Sequence, residues 1–356
     1  MKVIVVGAGI IGSCVAFQLS RQGAEVIVVD GGTPAATSTS FGWINASFYA
    51  DVAHHHLRLA GMAAYGRMIT DLPDAPISMA GALWWEDQGA GLAKMRDDLT
   101  TLGYPVEQLE RSAALELEPD LRGLPADLLR FPSEGAAEAG DLADHLLKQA
   151  QKTGARLVSG VRVHGLEVAD GVIGGVATDI GVISADRVVV AAGNGAPEIL
   201  RSVGVRLPML TRPGVLVTTK PIKAKISSIL VTPFGEVRQL PDGRILASAA
   251  ANHQSDDASE VTETAEEIAD RLIGWLTPLV ADEALDWDQV ALAYRPVPED
   301  GLPVIGQAGP VGLHIAVMHS GVTLAAIAGE AVAAEVLGLP DAHADLLGPY
   351  RPTRFQ

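Results

Sequence analysis

A glycine-rich turn near the start of the chain limits the possible fold more than any other sequence feature. The turn, Gly7-Ala8-Gly9-Ile10-Ile11-Gly12, follows a predicted strand over Lys2–Val6 and opens a predicted helix over Ile10–Arg21. A second predicted strand, Glu25–Asp30, ends in an aspartate eighteen residues after the last glycine of the turn. This order of strand, glycine turn, helix and strand predicts a β-α-β unit of the kind that binds a dinucleotide.

Each residue type in the turn has a physical reason. Gly7 permits the tight turn, Gly9 lets a pyrophosphate approach the backbone, and Gly12 lets the helix pack closely on the strand. The free N–H groups at the helix N-terminus attract phosphate, and Asp30 can accept hydrogen bonds from a ribose diol. The alternative is a glycine turn that only packs the helix against the strand. The motif serves NAD and FAD equally, so other features have to distinguish them.

Composition predicts a large globular protein. At 356 residues the chain is long enough for two domains, or for one large α/β domain with an insertion. Hydrophobic residues make up 48% and charged residues 19%, which is enough apolar material for a sizeable core. The net charge of −17, with no run of basic residues, argues against nucleic acids and anionic membranes as partners.

Three further expectations concern cysteine, targeting and membranes. The single cysteine, Cys14, excludes an internal disulfide and a CxxC metal or redox centre. The apolar segment Val3–Ile11 is interrupted by glycines and lacks a positively charged leader, so we expect no signal peptide. Because no apolar run reaches the ~18–20 residues that cross a bilayer, we also expect no membrane span. A cytoplasmic location is the resulting prediction.

Two kinds of segment alternate along the chain. Residues 31–50 lack periodicity and predict a loop that passes close to a ligand. Segments that continue the first architecture are a helix over Asp141–Lys152, strands over Arg156–Val163, Arg187–Ala192 and Leu313–Met318, and a helix from about Thr323 to Leu337. Segments of another texture are a strand over Ile77–Glu86, a helix over Leu92–Leu102, antiparallel strands over Gly214–Thr219, Ile229–Leu240 and Arg244–Ala250 with a turn at Pro241-Asp242-Gly243, and an amphipathic helix over Thr262–Leu276. The alternation predicts two interleaved domains.

Several motifs together resemble one enzyme family. They are the 7–12 turn with Asp30, the Thr-Ser-Thr-Ser-Phe-Gly-Trp loop at 37–43, Val161-Arg162-Val163, Val188–Gly193, Arg295–Gly306 and residues 317–329. The chain resembles the D-amino-acid oxidase, glycine oxidase and sarcosine oxidase (DAO) family of FAD-dependent amine oxidoreductases nearly from end to end. The Arg-Pro…Asp-Gly-x-Pro-x-Ile-Gly pattern within 295–306 is the most specific of these motifs. The N-terminal position of the turn and the 37–43 loop also favour FAD over NAD.

The resemblance implies a fold, a division into domains and a reaction. The fold is an α/β FAD-binding Rossmann-like domain from 1–75, 140–210 and 295–356, interleaved with a smaller α+β substrate domain built on an antiparallel sheet from 76–139 and 211–294. The reaction is oxidation of the C–N bond of an amino acid or N-substituted amino acid by hydride transfer to flavin N5, giving an imine that hydrolyses.

Alternative functions stay open at this point. One is a flavin-carrying subunit of a hetero-oligomeric dehydrogenase that passes electrons to a quinone or to a partner, and another is an NAD-dependent dehydrogenase. The expected partners are a small amine or amino-acid substrate and an electron acceptor, either dioxygen or a quinone. The sequence leaves the number of subunits open, and a homo- or hetero-oligomer is compatible with it.

The resemblance also implies which residues hold FAD. Gly7, Gly9, Ile10, Ile11, Gly12, Asp30 and Gly31 would bind the ADP half, and Val163 would meet the adenine through its backbone. Thr37, Ser38, Phe41, Gly42 and Trp43 would pass the pyrophosphate, the ribityl chain and the ring. Met318, Ser320, Gly321, Val322 and Thr323 would wrap the flavin end, with Ala192 and Gly193 completing the set. A helix N-terminus near Gly321 would favour negative charge at the pyrimidine edge.

Three residues are candidates for catalysis or substrate binding. Arg295 would bind the substrate carboxylate through a two-pronged hydrogen bond, or else be a structural arginine paired with Asp300 or Glu299. Arg238 is a second possible carboxylate anchor, the alternative being a solvated surface arginine. His319 would tune the flavin or contact substrate, unless it is an ordinary buried histidine.

The remaining candidate residues bear on reaction with dioxygen, on covalent attachment of the flavin and on metal binding. Thr323 stands where sarcosine-oxidase-like members have an oxygen-activating lysine, and the tethering cysteine of those members is also missing, so we expect non-covalent FAD. Adjacent residues on a helix point about 100° apart, so His54-His55-His56 predicts no metal site. A histidine of this run that bonds to the flavin or touches substrate is a weaker alternative. Trp84-Trp85 is expected to pack at the domain boundary.

Overall fold

Two large β-sheets organise the fold in the computed structural model, which describes residues 1–32, 36–249, 259–281, 285–340 and 342–355. In chain order the strands are β1 (Lys2–Val6), β2 (Glu25–Asp30), β3 (Trp43–Ile44), β4 (Ile77–Ser78), β5 (Ala82–Trp84), β6 (Glu107–Glu110), β7 (Asp127–Phe131), β8 (Gly135–Ala137), β9 (Arg156–Ser159), β10 (Val163–Ala169), β11 (Val172–Thr178), β12 (Gly181–Ser184), β13 (Arg187–Val190), β14 (Met209–Leu210), β15 (Pro213–Thr219), β16 (Ile229–Thr232), β17 (Gly235–Gln239), β18 (Ile245–Ser248), β19 (Trp287–Tyr294), β20 (Val297–Pro298), β21 (Val304–Gln307) and β22 (Leu313–Val317). The α-helices are α1 (Ile10–Arg21), α2 (Val52–Asp71), α3 (Ala90–Thr101), α4 (Arg111–Leu117), α5 (Ala139–Lys152), α6 (Ala196–Arg201), α7 (Ala265–Leu276) and α8 (Gly321–Leu337). Short 3₁₀ helices cover Gly193–Gly195, Gly348–Tyr350 and Pro352–Phe355.

The first sheet has six strands in the order β21-β22-β13-β1-β2-β9. All neighbours are parallel except the antiparallel edge strand β21. Strands of such a sheet are apolar on both faces because both faces are covered. In β1, Val3 and Val5 pack with helices α1, α5 and α8, whereas Ile4 and Val6 pack towards α6 and the three-stranded sheet β10-β11-β12.

The second sheet has eight strands in the order β19-β15-β18-β17-β16-β5-β7-β6, antiparallel except where β16 meets β5. One face packs against α7, with Leu272 and Leu276 in the same apolar cluster as Val217 and Val237. The other face carries Trp84 and Val231, which cluster with Trp43 and Phe48. This second face therefore meets the loop that was predicted to pass close to a ligand.

The architecture confirms the predicted fold class, a parallel α/β sheet combined with a separate antiparallel sheet. Strands of the first sheet come from 2–30, 156–190 and 304–317, and those of the second from 82–131 and 213–294. The two domains with their stated boundaries stay a prediction. No helix among the described residues combines the length and apolar character that crossing a bilayer requires.

Two predicted strands are each split in the structure. The segment Ile229–Leu240 forms β16 and β17, joined by a turn in which the Phe234 N–H donates to Thr232 Oγ1 at 3.1 Å. Pro233 lies in this turn, and proline has no N–H to give to a strand ladder. The segment Ile77–Glu86 likewise divides into β4 and β5, with Gly81 at φ 89° between them.

Smaller differences concern element ends. The segment Arg156–Val163 divides at Gly160 into β9 and the start of β10, and α7 begins after Thr264, which caps it through a capping box with Glu267. The predicted strand Arg244–Ala250 is observed as β18, and Ala250 lies outside the described residues. Helix α8 begins at Gly321, two residues before the predicted start.

Candidate cofactor and substrate site

The glycine turn joins β1 to α1 in a geometry that only glycine satisfies. Gly7 has φ 103°, and a Cβ there would lie 2.6 Å from the Ala191 carbonyl oxygen. A Cβ on Gly12 would overlap the carbonyl oxygen of Gly7, so the helix closes directly onto the turn. A Cβ on Gly9 would lie 3.0 Å from Thr37 Oγ1. The turn is therefore shaped for close approach of backbone to backbone and of the 37–43 loop to the helix start.

The loop after β2 lies against the start of α1. The N–H of Ile10 donates to Thr37 Oγ1 at 3.0 Å, and the next residue, Ser38, lies beside Gly140 in the first turn of α5. The first N–H groups of a helix have no acceptor within the helix, and they carry partial positive charge. The turn, α1 and the loop together form a setting that suits an anionic diphosphate.

Asp30 fastens the end of β2 to the glycine turn. Its Oδ2 accepts from the Ala8 N–H and its Oδ1 from the Gly32 N–H, both at 2.8 Å. The chain at 161–163 lies close by, since the Val161 N–H donates to the Asp30 carbonyl at 3.0 Å and Arg162 Cα lies 4.0 Å from a Cβ placed on Gly31. The predicted ribose and adenine residues are thus brought together, while their contacts with a ligand stay predictions.

The loop at 41–45 links the two sheets to the start of α8. Gly42, at φ 82°, leaves no room for a Cβ beside the Ala137 carbonyl, and its own carbonyl accepts from the Ala137 N–H at 2.9 Å. The Trp43 carbonyl accepts from Thr323 Oγ1 at 2.9 Å, and the Asn45 N–H donates to the same hydroxyl at 3.4 Å. The predicted ring-binding residues 41–43 and 320–323 are therefore neighbours.

Ser320, the residue that directly precedes α8, has a strained backbone conformation. Ser320 has φ 55° and ψ 30°, a left-handed conformation that costs a non-glycine residue on the order of 1–3 kcal/mol. Its neighbour His319 is half-buried, with Nδ1 3.5 Å from Ser320 Oγ, and Met318 and Val322 are buried. A Cβ on Gly321 would lie 3.8 Å from the Ile11 side chain, so the N-termini of α1 and α8 are adjacent. At the end of β13, Gly193 approaches Pro296, where a Cβ would lie 3.9 Å away.

Arg295 directly follows β19, and its side chain lies along Gly214 of β15, the strand that pairs with β19. Its side chain would be 3.6 Å from a Cβ on Gly214, and its guanidinium donates to the Pro213 carbonyl at 3.1 Å. Asp300, one of the two acids predicted as structural partners of Arg295, forms a two-pronged pair with Arg354 at 2.6 and 3.1 Å. The role of Arg295 as a carboxylate anchor stays a prediction.

Arg238 is not a solvated surface arginine, because it is buried and bound to other groups of the protein. Its guanidinium is buried, pairs through both terminal nitrogens with the Glu138 carboxylate, and donates from Nε to the Phe41 carbonyl at 2.6 Å. It also lies over the Phe41 ring, 5.8 Å from the ring centroid. Arg238 thus ties β17 to the start of α5 and to the 41–42 loop, because this face of β17 points at both.

The comparison with protein families decides the identity of this fold. A family model described as FAD dependent oxidoreductase (DAO) matches residues 2–335. The chain belongs to the DAO family. This confirms the resemblance drawn from the sequence, and FAD, not NAD, is the cofactor of this DAO-family protein.

Relatives are similar over their whole length. A D-amino acid dehydrogenase from Rhizorhabdus wittichii is 26% identical over 422 aligned residues, covering 99% of this chain and 97% of the relative. Among solved structures, glycine oxidase from Geobacillus kaustophilus has a TM-score of 0.87 and 25% identity, with 99% of both chains covered. Iminodiacetate oxidase from Chelativorans has a TM-score of 0.86 and 25% identity, with 98% of both chains covered.

The residues of the DAO-family protein fit FAD. The Gly7–Gly12 turn provides the close backbone approach that a diphosphate needs, and Thr37 and Ser38 border it. The N-terminus of α8 lies next to the Trp43 loop, where the pyrimidine end of the flavin would gain from positive potential. Cys14 of α1, the single cysteine of the sequence, is fully buried against Gly329 of α8, and binding of FAD without a thioether stays a prediction.

A buried polar cluster beside Trp43 was missed by the sequence analysis. Glu134, between β7 and β8, is fully buried and accepts from Trp43 Nε1 at 3.0 Å, the Ser47 N–H at 3.1 Å and the Tyr104 hydroxyl at 2.8 Å. Burial raises its pKa to about 7, although the hydrogen bonds from Ser47 and Tyr104 and the Arg58 charge oppose the shift. Glu134 therefore fixes the loop that contains Trp43 and Ser47, which includes the residues predicted to meet the flavin ring.

Arg58 on α2 extends this cluster. It is buried and donates to the Asn45 backbone carbonyl at 3.1 Å and to the Asn45 side chain. Burial lowers the pKa of its guanidinium to about 10. No local sequence pattern predicts the cluster, because its members are brought together from segments far apart in the chain.

The three consecutive histidines face different surroundings on α2. His54 Nδ1 accepts from the Ala50 N–H at 3.1 Å, His55 Nδ1 contacts the Ala46 carbonyl at 2.8 Å, and His56 is exposed. Burial lowers the pKa of His54 to about 4 and also lowers that of His55. Among the residues the structure describes, no group of three or more ligands could hold a metal. A bond from this run to the flavin stays an untested alternative.

Proposed function

We propose that this DAO-family protein oxidises the C–N bond of an amino acid or N-substituted amino acid. The proposal is carried by the position of Arg295, whose side chain lies along Gly214 on the eight-stranded sheet. The opposite face of that sheet packs against α7. The names of the relatives, which include a D-amino acid dehydrogenase and a glycine oxidase, support an amino-acid substrate. Bound FAD supplies the hydride acceptor for the oxidation.

The remaining steps belong to side chains of this chain. Arg295 binds the substrate carboxylate through parallel N–H···O bonds, which fixes the position of the α-hydrogen. Trp43, packed edge to face on Phe48 at 5.2 Å, shields the ring-side loop from water. We propose that His319, beside the strained Ser320, contacts the same site. A substrate amine that arrives neutral needs no side-chain base, and the product imine hydrolyses in water to a keto acid or aldehyde and an amine.

The electron acceptor in this proposal is dioxygen or a quinone. Thr323 occupies the position where sarcosine-oxidase-like members carry an oxygen-activating lysine, and its hydroxyl is bound to the Trp43 carbonyl. This arrangement favours a quinone over dioxygen. Stopped-flow reoxidation of the reduced enzyme in air and with a soluble quinone separates the two, and purification as an active homomer would exclude an obligatory second subunit.

The test of the substrate proposal compares an amino acid with its decarboxylated amine. Arg295→Met should raise KM for the amino acid by about 10–100-fold, because a charge-assisted hydrogen bond contributes about 1.5–3 kcal/mol. The amine, which has no carboxylate, should react equally with both enzymes. Arg271→Met is the matched control, since Arg271 is an exposed arginine on α7 paired with Glu263. Unchanged kinetics of Arg295→Met for every carboxylated substrate would refute the assignment.

A further inference from the structure

A cavity lies next to residues 41–43, the loop predicted to meet the flavin ring, because Arg238 and Ala136 line it and both contact that loop. It has a volume of about 660 Å³ and opens between the small sheet β3-β8-β4 and the β16–β18 strands. Ligand sites typically have volumes of roughly 300–1,000 Å³ and mostly apolar walls with a few polar groups. Pro76, Ile77, Ile226 and Leu240 supply apolar wall in this cavity. Its size and lining are therefore those of a small-molecule site.

Arg238 connects this cavity to the predicted position of the flavin ring. It lines the cavity, and it donates through Nε to the Phe41 carbonyl at 2.6 Å. One of its terminal nitrogens lies 3.4 Å from a Cβ placed on Gly42. Arg295 and His319 do not belong to the described lining. A molecule in the cavity would thus lie one side chain away from the ring-binding loop without displacing the amino-acid substrate.

The polar groups of the cavity are mainly hydrogen-bond donors. Three of the five guanidinium N–H groups of Arg238 are used by Phe41 and Glu138, which leaves two others. Lys225, Ser78 and Ser227 add an ammonium and two hydroxyls. Among the lining residues that the structure describes, Glu138 is the one carboxylate, and Arg238 binds it. An apolar ring that carries acceptors and no donors fits this lining, which is the chemistry of a quinone.

We propose that this cavity binds the quinone that reoxidises the reduced flavin. The inference rests on the proposed function, which supplies reduced flavin through substrate oxidation. Two electrons pass from the reduced flavin to the quinone, which takes up two protons from solvent in the open cavity and becomes the quinol. The flavin gives up its own two protons to solvent, and oxidised FAD is restored. The position of Arg238 between the cavity and the loop lets electrons cross a single layer of protein, and its two remaining N–H groups can donate hydrogen bonds to a quinone oxygen.

The test fills the cavity without touching the flavin loop. In Ser227→Trp the indole would occupy the cavity, while the Ser227 N–H keeps its bonds to Glu118. The matched control is Ser184→Trp, an exposed serine on β12 outside this cavity. The holoenzyme is reduced with dithionite and mixed with ubiquinone-1 or with air in a stopped-flow instrument, so the test does not depend on the natural substrate.

The expected result is selective. Ser227→Trp should lower the second-order rate constant for ubiquinone-1 by at least about tenfold, as for a blocked site, and leave reoxidation by air unchanged. Calorimetric titration of the oxidised holoenzyme with ubiquinone-1 should show the same loss of affinity. Lys225→Met removes one donor with little change in volume, and it should weaken binding by a smaller factor. This second variant serves as the test if Ser227→Trp fails to hold FAD.

Other outcomes overturn the inference. Equal quinone rates and affinities in wild type, Ser227→Trp and Lys225→Met would exclude the cavity as the quinone site. Slower bleaching by amino acids, with unchanged reoxidation by quinone, would make the cavity a substrate entrance. An enzyme that no amino acid bleaches, but in which the dithionite experiment still gives the selective loss, would refute the proposed function and leave the quinone site supported.

Discussion

Replacing Arg238 distinguishes a structural arginine from a substrate anchor. In Arg238→Met the half-buried Glu138 carboxylate loses both N–H donors of Arg238, and the Phe41 carbonyl loses a bond of 2.6 Å. Removal of one partner of a buried ion pair costs about 3–5 kcal/mol. Because the Glu138 side chain is 24% exposed and can recruit water, we expect a loss near the lower end, about 3 kcal/mol.

The same loss should appear in cofactor binding. If FAD has to order the 41–42 loop by itself in Arg238→Met, binding loses up to the same free energy, and the Kd of FAD rises by up to about a hundredfold. The free energy of unfolding comes from urea titration of the apoprotein, and the Kd from titration of the apoprotein with FAD. Arg238→Met/Glu138→Gln removes the unpaired charge and should recover about 2 kcal/mol.

The opposite outcome would restore the interpretation made from the sequence. Stability within about 0.5 kcal/mol of wild type and unchanged FAD affinity, together with a large rise in KM for amino acids, would mean that Arg238 binds the substrate carboxylate. The exposed pair Arg271–Glu263 provides the control, since Arg271→Met should cost less than about 1 kcal/mol.

Two further predictions test the packing around the cofactor site. Burial raises the pKa of Glu134 from 4.5 to about 7, so between these pH values the folded protein binds more protons than the unfolded chain. The free energy of unfolding should therefore fall by up to about 3 kcal/mol as the pH rises from 4.5 to 7. Urea titrations at several pH values in this range measure the fall, and Glu134→Gln should abolish it. A persistent fall in the variant would assign it to other groups. Gly12→Ala places a methyl group against the Gly7 carbonyl oxygen, so the purified variant should not retain FAD. The control is Gly66→Ala on the open face of α2, which should raise the free energy of unfolding by about 0.5–1 kcal/mol. Equal FAD content in the two purified variants would contradict the close packing of the turn.

The sequence predicted best where local signals agree. The bounds of β1, α1 and β2 match the structure because apolar runs are bounded by glycines and the helix follows a turn of defined spacing. The split between β16 and β17 had a signal, Pro233 followed by Gly235, that the alternation of apolar residues obscured. Local pattern thus suffices for elements whose ends are marked by residues with restricted or unusual backbone geometry.

Long-range partners could not be predicted in this way. Arg238 meets Glu138 across 100 positions of sequence, and Glu134 receives the Trp43 indole across 91. Neither acid stands out in its own segment, because their importance comes from burial that only the packed sheets create. An arginine on a strand of the antiparallel sheet therefore suggests a substrate anchor until its ion-pair partner is known.

The most direct test of the account is anaerobic addition of amino acids to the purified FAD-loaded protein, followed through the visible absorbance of the flavin. At least one amino acid or N-substituted amino acid should bleach the flavin in a single turnover, and its decarboxylated amine should do so far more slowly. A protein that binds FAD, is bleached by dithionite and keeps its absorbance with every amino acid in the panel would contradict amino-acid oxidation as its function.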